Sequence, residues 1–283
     1  MNDSITQPIA EAIAYIESHL DQSLRLEQVA KAVHYSGFYL HRIFTATVGI
    51  TLHDYIRRRQ LTEAARLLVC SDLPVVEVAL TAGYGSQQAF TDVFKIMYKQ
   101  TPAAYRKRQT FYPLQSPFRL CMHPSAPDAP LRTVVRASFD DIPDWMEFAA
   151  LTVDGFPCFD PADHREKLEG YIRRQQALIV RDGDCIVGTL AFSRQAGSID
   201  FLSVHPQYRG RGIEETLLEQ IAKGALADRT ISITTFREGD RADTGQRKAY
   251  RRLGFTEDKL LTEFGYPTQR LILLPDKRSW SHA

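Results

Sequence analysis

The segment Val75–Arg108, VVEVALTAGYGSQQAFTDVFKIMYKQTPAAYRKR, decides the fold of the first part of the chain. Phe90, Val93 and Phe94 fall at i, i+3 and i+4, the spacing of one buried helix face. Ser86 stands where a helix N-cap is wanted. Gly85 lies in the turn between a short helix and a longer one. The same pattern occurs upstream. Ser36, Leu40, Ile43, Phe44, Thr51 and Tyr55 match Ser86, Phe90, Val93, Phe94, Thr101 and Tyr105 at an offset of 50. Leu26, Val29, Ala30 and Tyr35 match Val75, Val78, Ala79 and Tyr84 at 49, the added residue being Gly85. The pattern predicts helices over 9–20, 26–33, 36–48, 52–69, 75–82, 86–98 and 102–108. A short helix, a tight turn and a longer helix, used twice, is a layout that sets two helices into successive major grooves about 34 Å apart.

Turning the apolar faces inward leaves Gly37, Phe38, Tyr39, His41 and Arg42 outward on one long helix. On the other it leaves Gln87, Gln88, Thr91, Asp92 and Lys95. Arg bridges guanine O6 and N7, Gln bridges adenine N6 and N7, and apolar atoms meet the thymine methyl. Any one of these alone reads as an ordinary surface residue; two sets at equivalent places favour base reading. The runs Arg57-Arg58-Arg59 and Arg106-Lys107-Arg108 also recur at matching places. One such run is usually a solvated face, whereas two favour contacts to phosphates.

The bulk numbers set outer bounds. A length of 283 residues argues for two domains. No run of 18 apolar residues is present, so no membrane helix is expected, and the polar start MNDSITQPIAEAIAYIE lacks the apolar core of a signal peptide. Cys70, Cys121, Cys158 and Cys185 form no CxxC pair, which points to reduced thiols in a cytoplasm and to no metal site. The net charge of +1 excludes nothing; residues 1–110 carry 12 Lys and Arg against 10 Asp and Glu, the remainder 23 against 24.

Five of the 14 prolines lie between Pro113 and Pro130, so 111–130 reads as a linker, partly packed through Phe111, Phe118, Leu120 and Met122. Domains are therefore expected at 1–110 and 131–283. The first is all-α, a double helix-turn-helix; the second is α/β with a mixed sheet. In the second, strand patterns (LRTVVRAS, ALIVRDG, CIVGTLAFS, SIDFLSVHP, ISITTF and two edge strands, FTEDKLLTE and QRLILLP) alternate with helical ones. Asp182-Gly183-Asp184 reads as a hairpin turn. In SIDFLSVHPQYRGRGIEETLLEQI a strand runs into the basic loop Arg209-Gly210-Arg211-Gly212, which opens an amphipathic helix. Backbone N–H groups at such a start make an anion site, and glycine permits close approach.

Residues 8–110 resemble the AraC/XylS family of bacterial transcription regulators, and within it the Rob/MarA/SoxS branch. The resemblance implies double-stranded DNA and RNA polymerase as partners. It makes Phe38, His41 and Arg42 readers of the first helix, and Gln87, Gln88 and Thr91, with Lys95 beside them, those of the second. Asp92 departs from the family, whose members often carry a basic residue there; an acid weakens phosphate contact or implies cytosine reading.

Residues 131–275 resemble the GCN5-related N-acetyltransferase (GNAT) superfamily, through Val204-x-Pro-x-x-Arg-Gly-x-Gly and the spacing of Tyr250 to Gly254-Phe255. That resemblance implies acetyl-CoA as cofactor. Amides from Arg209 to Glu214, including Gly210, Arg211, Gly212 and Ile213, would cradle its diphosphate, and Val204 would pair with the pantetheine arm. Tyr250 would protonate the leaving thiolate, and Asp200 stands near the strand where relatives place an acid, its side chain expected opposite Ile199 and Phe201. Two departures weaken the cofactor site. Glu214 stands where the pattern calls for Gly or Ala, and Asp243 stands where an Asn often contacts CoA. Two readings follow: a regulator whose second domain senses a small ligand or modulates activity, or a bifunctional regulator and N-acetyltransferase acting on a small amine or a protein lysine.

Overall fold

The computed structural model describes residues 3–122, 124–125, 133–152 and 159–278. Among these, one unit holds 3–122, 124 and 159, and the other 125, 133–152 and 160–278. Cys158 and parts of the expected linker and first strand (123, 126–132) lie outside the described residues.

The first unit is helical: α1 (Asp3–Glu17), α2 (Leu26–Ala32), α3 (Gly37–Val48), α4 (Leu52–Cys70), α5 (Val75–Thr81), α6 (Gln87–Tyr98) and α7 (Pro102–Arg108). The two repeats are built by the same contacts. Ser36 Oγ accepts from Tyr39 N, and Ser86 Oγ accepts from Ala89 N, each at 3.2 Å. Thr51 and Thr101 cap α4 and α7 in the same way. Phe44 meets Tyr55 edge-on at 5.6 Å, and Phe94 meets Tyr105 edge-on at 5.4 Å. All four rings are fully buried. The 19-residue α4 joins the repeats and spans about 28 Å. Helix α1 differs from the expected 9–20 at both ends: it starts at Asp3, continues through Pro8 and stops at Glu17.

The basic run on α4 is a second correction. Arg58 and Arg59 are buried at 3% and 4% exposure, so they do not form a phosphate-facing strip. Arg59 donates to both oxygens of Glu17 (Nη2–Oε2 2.7 Å) and to the Gln115 carbonyl (3.0 Å). Burial by itself would lower Arg59, but its bonds to Glu17 outweigh this and hold it above the ordinary guanidinium range. Arg106 likewise donates to the carbonyls of Leu68 and Leu73. These arginines are taken up by backbone carbonyls of the same unit.

Residues 111–122 pack on the same unit. Tyr112, Leu114, Phe118 and Cys121 are buried. Thr62 Oγ1 accepts from the N–H of Leu114 and Gln115, and Tyr55 Oη accepts from Phe118 N while donating to Glu17.

The second unit has α8 (Ile142–Thr152), α9 (Pro161–Arg173), α10 (Ile213–Lys223) and α11 (Gln246–Arg252). Its strands are β1 (Val135–Arg136), β2 (Ala177–Asp182), β3 (Cys185–Ser193), β4 (Ser198–Val204), β5 (Ile231–Phe236), β6 (Thr256–Glu263) and β7 (Tyr266–Leu273). They form one sheet in the order β1-β2-β3-β4-β5-β7-β6. Gly183 and Asp184 make the two-residue turn between β2 and β3. Strand β7 is interior, not an edge: its apolar run Leu271-Ile272-Leu273 pairs with β5 on one side while β6 covers the other.

Every neighbouring pair is antiparallel except β4 and β5, which run parallel and pair only at Ser198–Ser232 and Ile199–Ile233. Beyond Ile199 the pairing between β4 and β5 stops, which leaves Asp200–Val204 of β4 without a ladder partner on that side. Helix α10 crosses the sheet closely because β3 carries Gly188, where a Cβ would lie 2.5 Å from Ile213 Cγ2.

Candidate functional site

The outward faces of α3 and α6 carry the expected readers. Phe38 is 82% exposed, and His41, Arg42, Gln87, Gln88 and Lys95 are all exposed, whereas Thr91 is half-buried. Leu40, Ile43 and Phe44, and Phe90 and Phe94, anchor the opposite faces. On α3 the Tyr35 and Tyr39 rings stack at 5.3 Å, and the Arg42 guanidinium lies 5.6 Å from the Tyr39 centroid. The arginine head is thus held near an aromatic support and remains open to solvent. On α6 Gln88 Nε2 donates to Asp92 Oδ1 at 2.9 Å. The surface is therefore cationic and aromatic on the first reading helix, and amide-bearing on the second, with one acid, Asp92, and one base, Lys95.

The second candidate site lies where β4 leads into α10. His205 N donates to Val187 O at 2.9 Å. Bonded and non-bonded pairs alternate along an antiparallel ladder, so the adjacent pair Gly188–Val204 is non-bonded. The N–H and C=O of Val204 therefore point away from β3, on the side where pairing with β5 has ended. The loop that follows turns on two left-handed glycines, Gly210 and Gly212, each at φ 74°, and Gly210 faces open space. This backbone suits an extended ligand arm beside Val204.

The side chains at the start of α10 suit an anion less well. Burial pushes the half-buried Glu214 carboxyl above its ordinary range. Glu215 adds to the rise, while Glu214's own backbone N–H and Arg209 oppose it. The chain thus places its own carboxylate on the helix terminus that a diphosphate would use. Arg211 is committed elsewhere: its guanidinium lies 4.6 Å from the Tyr208 centroid and donates to the Ser125 carbonyl. Tyr208 in turn donates to buried Asp182, which also accepts from Ser125 N and Oγ. Ile213 is buried in the helix contact with Gly188. Asp243 Oδ1 accepts from Gly245 N and Gln246 N at 2.9 and 2.8 Å, capping α11. Two features of this loop work against a CoA diphosphate: the Glu214 N–H answers its own carboxylate, and the Arg211 guanidinium is engaged by the Ser125 carbonyl.

Tyr250 and Asp200 occupy different surroundings. Tyr250 is buried on α11, its ring 6.0 Å from Phe255. Asp200 is the extra residue of a β-bulge, because Ala191 pairs with Phe201 while Phe192 pairs with Ile199. This corrects the expected alternation. Asp200 reaches α9 through Tyr171, and Phe201 reaches the same helix through the His164 ring at 4.9 Å, so the two share a face. Both Asp200 oxygens are engaged, by Tyr171 Oη at 2.6 Å and Ser198 Oγ at 2.8 Å. Sequence reasoning missed this cluster, in which Trp145 Nε1 donates to His164 Nε2 and burial pushes His164 down to about 4. A separate open hollow of about 420 Å³ has Arg136, Arg194, Gln175 and Gln220 over a floor of Leu178, Phe192 and Ile221. Among the described residues no group of three or more His, Cys, Asp or Glu is placed to hold a metal, and no helix is long and apolar enough to cross a membrane.

Comparison with known families agrees with both halves. Residues 29–108 match the helix-turn-helix domain of AraC type, and residues 148–265 match the acetyltransferase (GNAT) domain. The chain belongs to the AraC-type helix-turn-helix regulators and carries a GNAT domain after the DNA-binding type module. It is 43% identical over 100 residues to the regulatory protein SoxS of Escherichia coli K12, an alignment that covers 35% of this chain and 94% of SoxS. It is 37% identical over 114 residues to the right origin-binding protein of the same organism, covering 40% of this chain and 39% of that protein. An acetyltransferase of the GNAT family from Bacillus cereus aligns at 18% identity and TM-score 0.40, over 51% of this chain and 98% of that one.

Proposed function

We propose that this protein is a cytoplasmic, sequence-specific DNA-binding transcription regulator whose second domain senses a small ligand instead of turning over acetyl-CoA. The DNA-binding domain is residues 1–110, with 111–122 strapped to it, and the sensing domain is 131–283. One observation carries the DNA reading: two serine-capped helices at equivalent repeat positions each expose a set of side chains suited to base edges. Arg42 suits guanine, Gln87 and Gln88 suit adenine, and Phe38 suits a thymine methyl. RNA polymerase follows as a partner from the family. In the second domain the carboxylate of Glu214 and the engagement of Arg211 by the Ser125 carbonyl support sensing over catalysis. The hollow with Arg136 and Arg194 over an apolar floor offers a place for an anion with an apolar body.

The alternative, a bifunctional regulator and N-acetyltransferase, draws support from the open backbone edge of Val204 and the open space at Gly210. Incubating the full-length protein with acetyl-CoA and a panel of amines separates the two. The sensing reading expects no turnover above background. Turnover with any amine at an ordinary enzymatic rate would establish the alternative.

A further inference from the structure

We propose that Asp92 is a positioning residue for the second reading helix, holding the Gln88 carboxamide so that the base it faces is read as adenine and guanine is rejected. This rests on the DNA reading above. Gln88 and Asp92 lie one turn apart on α6, both exposed, with Gln88 Nε2 2.9 Å from Asp92 Oδ1. An ionised carboxylate only accepts, so the amide nitrogen must face it; the flipped amide would set one oxygen against another. One amide hydrogen is used in that bond. Nε2 keeps a second hydrogen, and Oε1 keeps its lone pairs.

A held carboxamide therefore presents one donor beside one acceptor. That is the complement of adenine, which offers N7 as acceptor and N6–H as donor. Guanine offers two acceptors, N7 and O6, and the fixed Oε1 would face O6 unpaired. A carboxamide without this restraint can turn to give both Nε2 hydrogens to the two guanine acceptors as well as pairing with adenine, so it tolerates both purines. The repeat sharpens the contrast. The position equivalent to Asp92 is Arg42, and that equivalent to Gln88 is Phe38. The first helix thus places a cation where the second places an acid, and the two half-sites differ in sequence. The negative charge of Asp92 repels phosphates, so its contribution is to selectivity at the expense of affinity.

The test is selection from random duplex DNA by the full-length wild type, Asp92→Ala, Asp92→Asn and Gln88→Ala, followed by affinities for single-base variants of the selected site. The wild type is expected to prefer adenine over guanine at one position by about 10- to 100-fold. Asp92→Ala should lower that preference to a few-fold while total affinity holds or rises. Asp92→Asn retains an accepting oxygen and should restore most of the preference without the charge. Gln88→Ala should lose preference at the same position. An unchanged preference in Asp92→Ala would overturn the proposal. So would a uniform change at all positions, or a loss confined to a cytosine, which would make Asp92 a direct reader. A wild type that selects no sequence would instead overturn the DNA reading, and this proposal with it. The melting midpoint of each variant confirms that the helix is intact.

Discussion

Replacing Glu214 by Gln removes a negative charge from the start of α10 with little change in volume. Its carboxylate is half-buried and sits on the terminus that a diphosphate would occupy. Two unit charges about 4 Å apart repel by about 1 kcal/mol in a water-like medium and about 4 kcal/mol in a surface-like one. That range is about 5-fold to about 1,000-fold in affinity. Arg209 screens part of it, so a gain between about 3-fold and about 100-fold in acetyl-CoA affinity is expected. The pH dependence has a definite sign. A carboxyl raised in the folded state burdens that state when ionised, and the burden lifts as pH falls toward its raised value. Wild-type affinity for acetyl-CoA should therefore improve on acidification more than that of Glu214→Gln, since the titration of the cofactor's own phosphates is common to both. Calorimetric titration into the full-length proteins at two pH values reads both effects. Micromolar binding by the wild type, unchanged in the variant and with the same pH profile, would refute the reasoning.

Three further outcomes are expected. Arg42→Ala should cost about 1–3 kcal/mol in binding and relax selectivity at one base step, measured by competition among single-base variants; a uniform loss across sequences would make Arg42 a phosphate contact. Gly188→Ala places a Cβ 2.5 Å from Ile213 Cγ2, which should cost about 1–3 kcal/mol and lower the melting midpoint of the second unit by about 3–9 °C. Glu17→Ala leaves Arg59 buried without its main carboxylate and should cost about 3 kcal/mol in denaturant unfolding, while a change under 1 kcal/mol would mean that Glu63 and water replace it.

Local signals made much of this legible in the sequence. The helices of the first unit follow from apolar spacing, and Ser36 and Ser86 mark their starts because capping needs only residues three apart. The strands of the second unit follow from alternation and from turn residues such as Gly183. What escaped depends on partners far along the chain. The run Arg57-Arg58-Arg59 reads as a solvent-facing charge cluster until Glu17 and the carbonyl of Gln115 are brought to Arg59, 42 and 56 residues away. The interior place of β7 depends on strand order, which composition does not encode. The bulge at Asp200 shifts a side chain across the sheet, and only the register reveals it. Glu214 and Asp243 stood out as departures from a pattern. The carboxylate of Asp243 capping its own helix, and that of Glu214 answering its own N–H, required coordinates.

The most direct test of the central claim is footprinting of the full-length chain on duplexes selected from random DNA, with the stoichiometry measured on the same complex. One chain should protect two major-groove segments on one face of the duplex, centred about 10 base pairs apart and unlike in sequence. Binding with equal affinity to all sequences, or a single protected segment per chain, would contradict the claim.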